Sequence, residues 1–167
     1  MKIDKKYVEY ANDFLGNLTK GAFLTVKHNE KLNTMTIGWG SLGYMWQRPI
    51  VMVAVRYSRY SYELIEKANE FTVSIPLNSD LKKDLAIAGK KSGRDINKFK
   101  ECNITAQDSK TINSPIVDEC DLFFECKVVY KQAMEPGTLD KSIREKFYAT
   151  HNYHVLYYGE ILDCYKK

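Results

Sequence analysis

Long apolar runs are absent from this sequence of 167 residues. No stretch approaches the roughly 18–20 apolar residues that a membrane-spanning helix needs. Mean hydropathy is correspondingly low, at −0.41. The opening MKIDKKYVEY has a basic flank but no apolar core behind it, so no signal peptide is expected. Cysteine is scarce and unpatterned: Cys102, Cys120, Cys126 and Cys164 form no C-x-x-C, and no histidine stands at zinc-finger spacing from a cysteine pair. A structural metal or disulfide is therefore not expected, and a chain of this length needs neither to fold. With thiols and no export signal expected, the expected compartment is a reducing one, the cytoplasm. Cys126 and Cys164 lie in apolar stretches and should pack as small hydrophobes. G-x-G-x-x-G, P-loop, H-E-x-x-H and G-x-S-x-G motifs are all missing, which argues against a doubly wound nucleotide fold. No carboxylate pair, Ser-His-Asp or Cys-His order suggests a nucleophile system. No repeat, linker or low-complexity tract interrupts the chain, so residues 1–167 read as one domain.

What is present is ordinary globular composition, 44% hydrophobic and 28% charged. The formal net charge is +4, with basic residues interleaved among acidic ones. Asn97-Lys98-Phe99-Lys100-Glu101 is typical of this mixture and reads as a solvated face, not as a stripe for nucleic acid. Neither a nucleic-acid nor a membrane partner is expected. Aromatic residues make up 13%, with twelve tyrosines whose role composition does not assign.

Periodicity predicts an amphipathic helix over Asp4 to Leu18, with Tyr7, Tyr10, Ala11, Phe14, Leu15 and Leu18 on one face. Asp4 would cap it and Lys20-Gly21 close it. Ala22 to His28 and Thr34 to Trp39 read as a hairpin around the turn Asn29 to Asn33. Gly40 to Tyr44 reads as a glycine-rich connection, and Pro49 to Val55 as a strand buried on both faces. Arg56 to Ser61 is turn-like, with Ser61 capping a helix over Tyr62 to Asn69. Phe71 to Ile75 is a strand. Asp80 would cap a helix over Leu81 to Ala88 that ends at Gly89, and Asp95 to Phe99 is a short helical turn. Further strands are expected at Cys102 to Gln107, Leu122 to Tyr130 and Tyr153 to Tyr165, the last with a bulge or bend at Gly159. Pro136-Gly137 marks a turn before a helix over Thr138 to Phe147. Six or seven strands without β-α-β alternation predict a mainly β, α+β fold: an antiparallel or mixed sheet or β-barrel with peripheral helices.

Four clusters could carry chemistry. Asn33 to Trp46 sets hydroxyls and glycines beside Trp39, which suits either a flat ligand on exposed backbone or a hairpin with a core tryptophan. Arg56-Tyr57-Ser58-Arg59-Tyr60-Ser61-Tyr62 stands before a helix and suits either a phosphate or an N-cap with solvated arginines. Gly89-Lys90-Lys91-Ser92-Gly93-Arg94-Asp95 combines flexibility with positive charge. His154 is either a proton or hydrogen-bond donor in a site or a satisfied strand histidine.

In order, five motifs resemble the flavin reductase-like family, most closely its flavoredoxin-type branch. They are Asn33-Thr34-Met35-Thr36-Ile37-x-Trp39-Gly40 with Trp46 and Pro49, Arg56-x-x-Arg59-Tyr60-Ser61, Phe71-Thr72-Val73-Ser74-Ile75-Pro76, Ser92-Gly93-Arg94-Asp95-x-x-Lys98-Phe99, and His154 with Gly159-Glu160-Ile161. The resemblance implies an FMN-binding split β-barrel, a homodimer, and passage of electrons from NAD(P)H or a redox-protein partner through bound flavin to an acceptor. A non-catalytic FMN carrier or sensor is the other function it leaves open. By the same resemblance, Asn33, Thr34, Met35 and Thr36, with Trp39, Gly40 and Ser41, would line the isoalloxazine and ribityl chain. Arg56, Tyr57, Ser58, Arg59, Tyr60 and Ser61 would hold the chain and phosphate. Lys90, Lys91 and Ser92 would add to the phosphate site, and His154 would stand at the flavin edge as the catalytic residue. Two departures bear on nicotinamide binding more than on flavin binding. Asn152-Tyr153-His154 replaces the frequent Gly-Asp-His, and Gln47-Arg48-Pro49 stands where S-x-x-P-P is common.

Overall fold

The fold follows from one antiparallel sheet whose strands alternate or run apolar as the sequence dictates. The computed structural model describes residues 3–167, with side chains from residue 6 onward. Helices α1 (Ile3–Glu9) and α2 (Ala11–Leu18) lead into strands β1 (Ala22–His28), β2 (Lys31–Ile37), β3 (Gly40–Met45) and β4 (Arg48–Arg56). Helix α3 (Tyr60–Ala68), β5 (Glu70–Ile75), α4 (Lys82–Lys90) and α5 (Lys98–Glu101) follow. The short strands β6 (Ala106–Gln107) and β7 (Ile116–Val117) precede the long β8 (Leu122–Ala133), α6 (Lys141–Phe147) and β9 (His154–Lys166).

Seven strands form one sheet in the order β2-β1-β5-β8-β9-β4-β3. Every pairing in it is antiparallel. The hydrogen-bonded order does not close, and β2 and β3 remain its edges, as in a split barrel. The principal core lies inside the curved sheet under α2 and α3, and includes Phe14, Leu24, Val53, Leu64, Phe71 and Phe124. Phe14 meets Phe124 edge to face at 5.2 Å, and burial of each such ring contributes about 1.5–3 kcal/mol. A second core, around Phe23, Leu85, Ile116 and Phe123, fixes α4 and the 102–120 segment to the opposite face. Glu125 organises that segment: its buried carboxylate accepts from Lys110 N–H at 2.8 Å, Thr111 N–H at 2.7 Å and the Tyr165 hydroxyl at 2.8 Å.

Several local expectations are corrected. The first helix breaks at Tyr10, and Leu15 on its expected apolar face is 54% exposed while Phe14 and Leu18 are buried. Capping by Asp4 concerns a side chain outside those described. Gly40 to Tyr44 is strand β3 and not a connection, because an edge strand needs only one partner and β4 supplies it. Ser61 lies inside α3, whose N-cap is Arg59 with no side-chain cap bond. Helix α4 is capped at Leu81, not Asp80, and continues through Gly89. The expected strand at Cys102 shrinks to β6, and Lys98 opens α5 behind an Asn97 cap.

All four cysteines are free and buried, so Cys126 and Cys164 do pack as hydrophobes. Among the described residues no helix is long and apolar enough to cross a membrane.

An irregularity does occur at Gly159, on the partner strand. Gly159 pairs with Val51 and with Val128, and one register shift runs from that Val128 to Tyr130 while another falls between Glu125 and Cys126. Gly159 is also needed for packing. A Cβ there would fall 2.5 Å from Phe71 Cζ and 2.7 Å from Cys126 Cβ. Gly159→Ala should therefore destabilise the fold by about 1–3 kcal/mol, the usual cost of overpacking a core. Urea unfolding measures this, and an unchanged midpoint would contradict the packing account.

Candidate active site

The β4–β9 register fixes the floor of the site, since it sets Arg56 opposite His154 at the end of both strands. The C-terminal half of β2, the start of α3 and the end of α4 converge on the same end of the sheet. Two connected chambers result. One is lined by Met35, Thr36, Ile37, Gly38, Trp39, Ala54, Arg56, Arg59 and His154. The other is lined by Asn33, Met35, Ser58, Arg59, Tyr60, Ser61, Lys90, Lys91, Ser92, Gly93 and Lys98. Met35 and Arg59 border both.

Trp39 and His154 give the first chamber an aromatic wall. Trp39, 46% exposed, stands edge-on to Phe147 at 5.1 Å and tilted against His154 at 5.3 Å. Arg56 donates to the Phe147 carbonyl at 3.2 Å and to the Asn152 carbonyl, so it ties down the segment between β8 and β9 beside the chamber. His154 is buried, with Nδ1 2.8 Å from the Tyr148 hydroxyl. Burial, then the Arg56 and Arg59 charges, push its imidazole down to about 4, so it is neutral near neutral pH.

Positive charge dominates the second chamber. Helix α3 begins there with no side-chain cap, which leaves first-turn N–H groups and the positive end of its dipole free for an anion. Asn33 is oriented by donating to Ser61 Oγ at 2.9 Å, and Gly93 lies so close that a Cβ would overlap the Asn33 side chain. Arg59 donates to the Gly89 carbonyl at 2.8 Å. Lys98 is only 4% exposed and donates to the Ala88 carbonyl at 2.7 Å. Burial, then the nearby Arg59 charge, push its ammonium down to about 8. Among the described residues no salt bridge involves Lys98, Arg59, Arg56 or Lys90, whereas Lys91 is paired with Glu101 at 2.5 Å. The chamber thus holds more cation than its own carboxylates neutralise.

Most of the sequence-derived set comes together here: Asn33, Met35, Thr36, Trp39, Arg56, Ser58, Arg59, Tyr60, Ser61, Lys90, Lys91, Ser92 and His154. Four do not line either chamber. Thr34 is fully buried and its hydroxyl accepts from Thr25 Oγ1 at 3.0 Å. Gly40 and Ser41 belong to β3, and Tyr57 turns outward to stack edge-on with Tyr62 at 5.1 Å. The structure adds Ile37, Gly38, Ala54, Gly93 and Lys98. Lys98 is the exception to the solvated-face reading of Asn97 to Glu101, whose Asn97, Lys100 and Glu101 are exposed. Only its place in the Ser92-to-Phe99 motif marks it in the sequence.

The family model for the flavin reductase like domain matches residues 18–167. An uncharacterized protein of Archaeoglobus fulgidus is 33% identical over 129 residues, covering 77% of this chain and 71% of its own length. Among solved structures, flavoredoxin of Desulfovibrio vulgaris (Miyazaki F) superposes with a TM-score of 0.70 at 23% identity, covering 89% of this chain and 70% of that one. An FMN-binding protein from Thermus thermophilus does so with a TM-score of 0.70 at 18% identity, covering 88% of this chain and 71% of that one.

The depressed His154 value links stability to pH. As pH falls below about 6.5, an unfolded chain protonates this histidine while the folded chain does not until about 4. Stability should therefore fall across that window, by up to ~3 kcal/mol from this group. Urea unfolding at about pH 7 and about pH 4.5 should give a smaller difference for His154→Gln than for the wild type. Equal differences would remove His154 as the source.

Proposed function

Because the chain belongs to the flavin reductase like domain family, we propose that residues 1–167 form one FMN-binding oxidoreductase domain. It passes electrons from NAD(P)H or a redox protein to an acceptor. The observation that carries this is the cationic chamber joined to an aromatic one. Its donors fit a phosphate monoester: Arg59, Lys90, the buried Lys98, the Ser58, Ser61 and Ser92 hydroxyls, and the uncapped start of α3. The adjoining chamber, with Gly38, Trp39 and Met35, fits the flat ring system that such a phosphate would tether.

FMN, when bound, supplies the electron-transfer chemistry itself. The chain's residues bind, orient and shield. Arg59 spans both chambers and so couples the position of the phosphate to that of the ring. Trp39, held edge-on by Phe147, offers an aromatic surface to one side of the ring. The free backbone and side-chain donors at the chamber wall favour electron density at the ring edge. No side chain need act as an essential acid or base, in keeping with the missing catalytic dyads.

The same proposal includes a homodimer and a cytoplasmic location. Tyr44, Met45, Trp46 and Tyr130 form an exposed apolar patch about the β3–β4 turn, which supports a homodimer. Four free thiols support a reducing compartment.

The purified protein should carry or take up FMN and show a flavin absorption spectrum. Under anaerobic conditions the flavin should bleach with NADH, NADPH or a reduced redox protein; a spectrum unmoved by all three would leave only a carrier. A protein that takes up no added FMN overturns the flavin reading altogether.

Lys98→Met tests the phosphate chamber. It should weaken FMN by about 10–100-fold, the range for a lost charge-assisted bond. Riboflavin, which lacks the phosphate, should be affected by less than about 3-fold. Without ligand, the same substitution should stabilise the protein by about 1–2 kcal/mol, since it removes a buried charge with no carboxylate partner. Equal losses for FMN and riboflavin would sink the phosphate assignment.

A further inference from the structure

The direction of one buried hydrogen bond decides what the aromatic chamber can recognise. Tyr148 caps the end of α6, is 2% exposed, and reaches His154 Nδ1 with its hydroxyl at 2.8 Å. Among the described residues this hydroxyl has no other hydrogen-bond partner. Were Nδ1–H to donate to it, the hydroxyl proton would be buried with no acceptor, a fault worth roughly 1–3 kcal/mol. An imidazolium would share that fault and would sit beside Arg56 and Arg59, whose charges already disfavour it. With the hydroxyl as donor, both groups are satisfied and the ring proton must reside on Nε2.

Nε2 opens to the chamber. It has no partner within the protein, yet no fully buried side-chain nitrogen or oxygen among the described residues lacks one. Nε2 is therefore accessible, and His154 lines the aromatic chamber. The surroundings hold the pair still. The Arg56 guanidinium lies 5.1 Å from the centre of the Tyr148 ring, and Tyr153 stacks on that ring at 5.0 Å.

We propose that Tyr148 is a positioning residue that locks His154 in the Nε2–H tautomer, making the chamber wall a neutral hydrogen-bond donor. The chamber then selects a planar ligand presenting an acceptor edge there, a carbonyl oxygen or an unprotonated ring nitrogen. That this edge belongs to a flavin rests on the function proposed above; the tautomer lock does not. A neutral donor suits the place, because a third positive charge beside Arg56 and Arg59 would be repelled, whereas an uncharged N–H is not.

The test reads the tautomer directly. Long-range 1H–15N spectra of the 15N-labelled, ligand-free protein near neutral pH resolve the three histidines, and His154→Gln identifies the signal of residue 154. The wild type should show Nε2 protonated and Nδ1 bare of a proton. An Nδ1–H tautomer or an imidazolium would overturn the proposal. In Tyr148→Phe the Nδ1 resonance should move downfield, as for a ring nitrogen that has lost its donor; an unchanged resonance in a folded variant would also overturn it. Should that variant fail to fold, the wild-type tautomer decides alone.

FMN titration then tests the acceptor edge. His154→Gln retains an N–H donor and should bind within about 3-fold of wild type, while His154→Phe should lose about 10-fold. Equal affinities would overturn the selection of an acceptor edge. An Nε2–H signal in a protein that takes up no flavin would support the lock and overturn the flavin reading.

Discussion

A buried ammonium with no carboxylate beside it is the constraint around which the site is built. Lys98 is held between the Ala88 carbonyl and the neighbouring Arg59 charge. Removing such a charge from water costs several kcal/mol, and one backbone carbonyl offsets only part of it. A fold selected for stability alone would place an apolar side chain there. The same excess of positive charge explains why helix α3 starts without a side-chain cap. A capping carboxylate or hydroxyl would occupy the N–H groups that an anion can use. Stability is given up at one end of the sheet, and binding capacity is what that end gains.

The sheet makes this tolerable. Positions of Arg56 and His154 are set by long antiparallel pairings, β4 with β9 and β8 with β9, and not by loops. A one-residue slip would carry Arg56 and His154 to the opposite face. Gly159 guards against such displacement from the middle of β9, where Phe71 and Cys126 fill the space a side chain would need. Core packing and site geometry are therefore the same constraint read at two points along β9.

Legibility in the sequence followed the same division. Strands that bury both faces, such as Pro49 to Val55, and long apolar strands such as Leu122 to Tyr130 are visible because their patterns reflect the core. Most of the residues of the two chambers are visible too, because Asn33 to Trp39, Arg56 to Ser61 and Lys90 to Ser92 depart from simple core patterning. Thr34, Gly40, Ser41 and Tyr57 belong to the same contiguous motifs but line neither chamber; the Thr34 hydroxyl is taken up inside the sheet by Thr25 and the Leu24 carbonyl, and a motif read as a contiguous run cannot register that. Lys98 was hidden for the opposite reason. Its neighbours are lysines, asparagine and glutamate, and only the path of the chain after α4 turns it inward. The β3 strand was hidden by its glycines, since an edge strand imposes little of the apolar pattern that marks buried ones.

The two chambers make opposite electrostatic demands, and Arg59 stands at their boundary. One needs unneutralised positive charge; the other needs its histidine uncharged. Arg59 serves both, because its charge adds to the cationic chamber and at the same time disfavours protonation of His154. Arg56 acts similarly from the other side, while its guanidinium is spent on the Phe147 and Asn152 carbonyls and so holds the segment that carries Tyr148. A change at Arg59 would thus be felt in the charge of the cationic chamber and in the protonation of His154, and a change at Arg56 in that protonation and in the order of the segment after α6. Neutral His154 is in this sense a consequence of the cationic chamber, and the hydrogen-bond chemistry of the aromatic end is set by the charge gathered at the other.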